Sequence, residues 1–330
     1  MRTAVLGKTG LTITRVGFGA WALGGQWGTP SDSESIAAIQ RAVERGINWI
    51  DTAPSYGKQS HSEEVVGRAI RKLQERPLVF TKCGFRWSED GVLTSVLKGA
   101  SIREEVEGSL RRLGVEAIDL YQIHWREPDA DIEEAWGTLA DLKREGKVRH
   151  IGVSNFDVAQ IKRCERIAPV ETLQPPYSML IRTSFWTAPF VDNTPRESIE
   201  AEILPYCETR GIGVIVYSPM ASGLLSGTFT AERAAALPPD DWRRAELDFQ
   251  EPTLSRTLAL ASALETVAQG LGCSLGELAI AWTLCHPAVA GAIVGFRRAE
   301  QVGELAGAAE ITLSGAVLGR IDEILASAEA

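Results

Sequence analysis

The chain is expected to fold as a closed (β/α)8 TIM barrel, an α/β architecture. Three observations lead there. Eight short apolar runs alternate with amphipathic helical stretches from Arg15 onward. The 330 residues exceed the roughly 250 such a barrel needs and leave room for insertions. No Gly/Ser/Pro-rich linker and no internal repeat divides the sequence, so residues 1–330 read as a single barrel domain. An open doubly wound sheet competes, and strand count and length favour the closed form.

Thr3–Leu6 and Leu11–Thr14 flank Gly7-Lys8-Thr9-Gly10, the pattern of a hairpin ahead of the barrel. Arg15–Gly19 reads as the first strand. Ser33–Arg45 reads as a helix, with Ile36, Ala37, Ile39 and Val43 as its apolar positions and Gly46 as its stop. Ile47–Asp51 is a strand, Glu63–Leu73 a helix with Val65, Val66, Ala69, Ile70 and Leu73 on one side, and Leu78–Lys82 a strand. Ser101 and Glu104 match a capping box, where hydroxyl and carboxylate satisfy each other's backbone donors. A helix is therefore expected from Ser101 to Leu113, ending at Gly114. Ile118–His124 is a strand, and Ile132–Glu145 a helix stopped by Gly146. Lys147–Ser154 (strand), Val158–Ile167 (helix) and Val170–Gln174 (strand) follow, then a helix over Glu197–Thr209 and a strand over Gly213–Ser218. Leu254–Gln269 and Leu275–Cys285 read as helices, the second opened by the capping-box pair Ser274 and Glu277. Ala290–Val294 is the eighth strand, and helices beginning at Glu300 and Ala316 close the chain. Two long segments, Pro175–Arg196 and Pro219–Thr253, show little periodicity. Both follow strand ends, on the face where a barrel keeps its active site.

The net charge of −9 argues against a nucleic-acid footprint and against an anionic membrane surface. It leaves room for a local basic site that takes a phosphorylated ligand. The five cysteines (Cys83, Cys164, Cys207, Cys273, Cys285) are odd in number, widely spaced and without a C-x-x-C pair. That fits a reducing compartment better than a disulfide framework or a zinc cluster. Met1–Gly10 has no apolar core of a signal peptide, and no uncharged run approaches a membrane span. A cytoplasmic location is expected.

Asp51, Tyr56, Lys82 and His124 fall at or just past the ends of the second, third and fourth expected strands. Parallel strands would bring them to one rim. Together they suit carbonyl reduction by a hydride donor. Tyr56 is the candidate proton donor, but a free phenol with a pKa near 10 is poorly matched to neutral pH. The Lys82 ammonium is expected to lower that value, Asp51 to hold Lys82 charged, and His124 to donate a hydrogen bond to the carbonyl oxygen. Singly, each has an ordinary reading: a cap, a packing tyrosine, a rim ion pair, a buried histidine. Their convergence carries the expectation. Gly17-Phe-Gly19-Ala-Trp-Ala22 fits a dinucleotide fingerprint on paper, but turn-forming residues follow where a helix is required. Cys83 is expected to face away from Lys82 by strand alternation.

Asp51-Thr-Ala-Pro-Ser-Tyr56-Gly57, with Lys82 and His124, resembles the aldo-keto reductase superfamily of NADP(H)-using, metal-free barrels. So do Leu6–Leu11, Gly17–Trp21, Gly146–Phe156 and Ile293–Gln301, in order. The run Asp119–Trp125 is similar to the bacterial, potassium-channel β-subunit-like branch. The resemblance implies Asp51, Tyr56, Lys82 and His124 as the catalytic tetrad. It implies cofactor contacts from Gly19, Trp21 and Asp51, from Ser154, Asn155 and Gln174 around the carboxamide, and from Tyr217 under the nicotinamide. Ser218, Pro219, Met220 and Gly223 would then face the pyrophosphate, and Gly295, Arg297, Gln301 and Glu304 the adenosine phosphate. NADP (NADPH) is expected over NAD, since Arg297 and Arg298 suit a 2′-phosphate. Two positions depart from the family pattern. Thr228 stands where many relatives have lysine, and Leu305 replaces a common asparagine. Trp21, Tyr56, Trp87, His124, Trp125 and Trp186 are expected to line a pocket for a small carbonyl, alcohol or sugar substrate, with Phe85 and Phe185 nearby. Arg126 and Arg182 are candidates for attracting an anionic group, though surface roles suit both. A cofactor-sensing regulatory subunit is the alternative function. A metal-dependent hydrolase is disfavoured, because none of the four histidines has metal-ligand spacing. A homo-oligomer is compatible with the sequence.

Overall fold

The structure, a computed structural model, describes residues 1–24, 31–182, 198–239 and 241–329. Its centre is a closed barrel of eight parallel strands. These are β1 (Val16–Gly19), β2 (Trp49–Asp51), β3 (Leu78–Cys83), β4 (Ile118–Ile123), β5 (Val148–Ser154), β6 (Thr172–Gln174), β7 (Gly213–Val216) and β8 (Val289–Gly295). Each pairs with the next, and β8 closes on β1 through Ala292–Val16 to Gly295–Gly19. The expected barrel is the observed one.

Period-two alternation divides each strand between two cores. On β3, Val79 and Cys83 pack outward among the helices, while Phe80 joins an inner cluster with Leu6, Ile13, Trp49, Leu120 and Ile215. The N-terminal hairpin, Thr3–Val5 against Thr12–Thr14, supplies Leu6 and Ile13 as the barrel floor. Its turn lies against the start of β7: a Cβ on Gly7 would stand 2.2 Å from the Gly213 amide nitrogen. The Trp49 indole fills the lumen over Gly17, where a Cβ would come within 2.1 Å of the ring. Trp49 Nε1 donates to Thr14 O at 2.8 Å, so its one polar atom is satisfied. The glycine of the Gly17-x-Gly19 pattern thus makes room for an indole. The short turn Trp21–Gly24 follows it, in place of a phosphate-binding helix.

Two expectations need correction, and one element had no expectation. The helix placed at Ser101 begins at Gly99, and Ser101 lies inside it, donating to Glu105 Oε1 at 3.0 Å. The cap comes from a neighbouring helix instead: Gly99 N–H donates to Glu134 Oε1 at 2.9 Å, and Lys98 pairs with Asp131 at 2.6 Å. A tertiary carboxylate has displaced the local capping box. The helix placed at Glu197–Thr209 opens as a π turn over Ile199–Ile203 before Leu204–Arg210 turns α-helical. Pro205 has no N–H to give the carbonyl four residues back, so the wider turn precedes it. Glu197 lies outside the described residues. Finally, a hairpin of Phe85–Trp87 and Leu93–Ser95 follows β3, three residues per strand and too short to stand out by alternation.

The capping box at Ser274 and Glu277 forms as expected. The aperiodic segment after β7 contains four short helices: Ala221–Gly223, Ala231–Ala235, Trp242–Ala245 and Leu247–Phe249. Each is too short for a helical period to show in sequence. Among the described residues, no single helix is long and apolar enough to cross a membrane.

Candidate active site

Asp51 ends β2 and Lys82 lies one residue before the end of β3, both facing the barrel mouth. Lys82 is fully buried. Its Nζ donates to Asp51 Oδ1 at 2.6 Å and to Thr52 O at 3.0 Å. Gln174 Nε2, from the end of β6 across the mouth, donates to Asp51 Oδ2 at 2.8 Å. Burial raises the Asp51 carboxyl and lowers the Lys82 ammonium, and the contact between them opposes both shifts.

Tyr56 is held by its loop. Its N–H donates to Ala53 O at 3.1 Å, and its own carbonyl accepts from Ser62 N–H at 3.1 Å. Gly57 behind it presses on Gly24, where a Cβ would meet the Gly57 nitrogen at 2.5 Å. The ring lies with Lys82 Nζ 5.0 Å from its centre and His124 edge-on at 5.6 Å. All four expected residues therefore meet. One expectation reverses: burial, then the negative charge of Asp51, pushes the Tyr56 phenol well above its ordinary value. Desolvation of the phenolate is the largest cause, and the charges of Asp51 and Tyr217 add to it. Burial, then the Lys82 charge, drives the His124 imidazole well below its ordinary value, so it is neutral at pH 7. Ser55 Oγ lies 3.2 Å from His124 Nδ1, and Phe85 meets the imidazole edge-on at 5.2 Å.

Phe85 is steered by Glu105, which accepts the Gly84 N–H at 2.8 Å. Burial lifts the Glu105 carboxyl from 4.5 to about 7. Between these values the folded chain holds the proton more tightly than the unfolded chain, so this group's contribution to stability falls as pH rises. Above about pH 7 the loss is complete, on the order of 3 kcal/mol. Glu105→Gln is expected to melt above the parent near pH 8 and level with it near pH 5. A melting difference that does not vary with pH would overturn this.

Ser154, Asn155, Gln174 and Tyr217 also converge. Ser154 Oγ donates to Gln174 O at 2.8 Å, Asn155 Nδ2 to His124 O at 3.0 Å, and Tyr217 Oη to Asn155 Oδ1 at 2.8 Å. Asn155 adopts φ +64°, a left-handed backbone that asparagine tolerates. Gly19 ends β1 against Ile293. Trp21 lies tilted 6.4 Å from Tyr56 and 5.1 Å from Trp242, ring centre to ring centre. Trp242 was not anticipated, because it sits on one of the short helices after β7.

That segment includes residues 218–223, expected to face the pyrophosphate. Ser218, Ala221 and Ser222 have φ of +57°, +45° and +54°, strain of the kind proteins keep at binding loops. Ser222 Oγ is buried without a protein partner. Arg243, also unanticipated, is buried between Phe229 and Phe249 and paired with Asp241 at 2.7 Å. Its NH1 lies 3.8 Å from where a Gly223 Cβ would stand. At Thr228 the missing lysine has a neighbouring cation, since Arg233 NH1 donates to Thr228 O at 3.2 Å. Pro219 is buried, and Met220 packs toward Gly276. Beyond β8, Gln301 Oε1 accepts from the Arg297 and Arg298 amides at 2.8 and 3.1 Å, shaping the turn that carries both guanidinium groups. Burial, then nearby Arg243 and Arg298, lowers Arg297, the mark of a concentrated positive site. Gly295 and Glu304 are exposed beside it, and Leu305 packs against Gly276.

On the substrate side, Trp87 Nε1 donates to Pro54 O at 2.9 Å, and Trp125 has its Nε1 buried without a partner. Phe185 and Trp186 lie outside the described residues. Arg126 pairs with Asp157 and Glu127, and Arg182 with Glu200. These are structural ion pairs. Cys83 faces away from the site, buried, with its thiol toward Gln122 O.

Comparison with known proteins shows the family and the fold. The sequence model of the Aldo/keto reductase family matches residues 15–326. An aldo-keto reductase of Bacillus subtilis is 36% identical over 94% of this chain and 89% of its own length. An NADH-specific methylglyoxal reductase of Escherichia coli is 35% identical over 96% of both chains. Among solved structures, the glycerol dehydrogenase of Gluconobacter oxydans superposes with a TM-score of 0.85 at 35% identity, covering 99% of this chain and 95% of that one. The family model and the relatives cover nearly the whole barrel, and the chain belongs to the aldo/keto reductase family.

Proposed function

We propose that this protein is an NADP(H)-dependent oxidoreductase that reduces small aldehydes or ketones, or oxidises the corresponding alcohols or sugars, with Tyr56 as proton donor. The observation that carries the reading is the meeting of Tyr56 with Lys82 and His124 over the buried Asp51–Lys82 pair. The reduced nicotinamide supplies a hydride when bound. The chain's own residues do the rest. Ser154, Asn155 and Gln174 would orient the carboxamide, and Tyr217 would support the ring. Neutral His124, with Ser55 donating to Nδ1, would carry its proton on Nε2 and donate it toward the carbonyl oxygen. As charge develops on that oxygen, Tyr56 gives up its proton, and Lys82 stabilises the phenolate left behind. A phenol pushed up by burial keeps its proton until charge develops on the acceptor oxygen.

Relatives named for methylglyoxal reduction and glycerol oxidation support a small polar substrate. NADPH oxidation with methylglyoxal, simple aldehydes, ketones and sugars tests the reaction, and no turnover across the set would overturn it. The preference for NADP rests on Arg297 and Arg298. Arg298→Ala is expected to raise KM for NADPH by roughly tenfold or more and to leave KM for NADH within about twofold. Equal shifts for the two cofactors would sink that preference.

A further inference from the structure

We propose that Gln122 and Thr172 hold ordered water in the barrel lumen beside Lys82, and that this water helps position Lys82. Both side chains are fully buried. Gln122 Nε2, Gln122 Oε1 and Thr172 Oγ1 all lack a protein hydrogen-bond partner. Their strands aim them at one place. Gln122 lies two residues beyond Leu120, which faces the lumen, and Thr172 two residues before Gln174, which bonds Asp51. The barrel register sets Lys82 beside Gln122, Gln122 beside Gly152, and Gly152 beside Thr172. Gly152 contributes no side chain between them. Thr172 Oγ1 leans into that place, only 2.0 Å from where a Gly152 Cβ would stand.

A buried amide and a buried hydroxyl on the strands either side of a glycine have a donor and acceptors to satisfy. Water matches their bonding, because it both donates and accepts. Lys82 is the next residue in the row. Its ammonium has three N–H donors, of which two end on Asp51 Oδ1 and Thr52 O. A hydrated polar layer beside it lessens the penalty that burial imposes on the ion pair. Gln122 and Thr172 are therefore positioning residues, acting on Lys82 through solvent.

A crystal structure of the full chain, at a resolution that shows ordered solvent, tests the site. Water bonded to both the Gln122 amide and the Thr172 hydroxyl is expected, and it should be absent from Gln122→Met. Direct protein bonds to the Gln122 amide, with no water there, would overturn the proposal. The positioning role rests on the proposed reaction and is read by kinetics with methylglyoxal and NADPH. Gln122→Met is expected to lower kcat about tenfold with KM for NADPH unchanged. Thr172→Val, which keeps shape and folding, should act in the same direction, and Thr172→Ser should restore the parent rate. Parent kcat in both Gln122→Met and Thr172→Val would remove the positioning role. If the water is present and no form turns over, the reaction reading fails and the hydration site stands.

Discussion

Tyr56→Phe is expected to lower kcat for carbonyl reduction by about a thousandfold while leaving NADPH affinity within about twofold. The substitution removes one oxygen and keeps the ring. Packing against the His124 edge and beside Trp21 survives, so the fold of the 51–57 loop should not change. What disappears is the phenol set beside Lys82 and His124. A burial-shifted phenol is a strong reservoir for a proton that must reach a developing alkoxide. Steady-state kinetics give kcat, and quenching of Trp21 and Trp242 fluorescence on NADPH addition gives affinity. Parent turnover in the variant would reduce Tyr56 to a packing residue. Equal losses of turnover and affinity would place its role in binding.

Much of this site was legible in the sequence because β-strand ends are legible. Asp51, Lys82 and His124 each close a short apolar run, and parallel alternation leaves few ways to arrange such runs. Gln174 and Ser154 also close strands, but it was the family resemblance that implied their role. What escaped was set by contacts between distant segments. The cap of the Gly99–Leu113 helix belongs to Glu134, thirty-five residues on. Trp242 and Arg243 ride on a four-residue turn, Trp242–Ala245, whose length gives no period to detect. The direction of the Tyr56 shift escaped for another reason. Sequence shows that a lysine is near, but the depth of burial, which decides the balance, exists only once the barrel closes.

Lys82→Met is expected to cost about 3–5 kcal/mol of stability as well as nearly all activity. The loss comes from what stays behind. Asp51 would keep its carboxylate at 2% exposure with Gln174 as its remaining hydrogen-bond donor. Without the ammonium, that carboxyl rises further above its unfolded value, so the destabilisation is present above about pH 4 and fades in acid. Adding Asp51→Asn removes the stranded charge and keeps the acceptor for Gln174 Nε2. The Asp51→Asn, Lys82→Met double variant is therefore expected to regain most of the lost stability by denaturant titration at pH 7. It should remain inactive, because nothing then stabilises the phenolate of Tyr56. The two measurements separate the roles of the pair. Lys82→Met as stable as the parent would mean that Asp51 is protonated in the resting site and that no ion pair exists to break. A double variant that turns over at the parent rate would mean that the lysine serves the fold alone, and that Tyr56 draws its acidity from elsewhere.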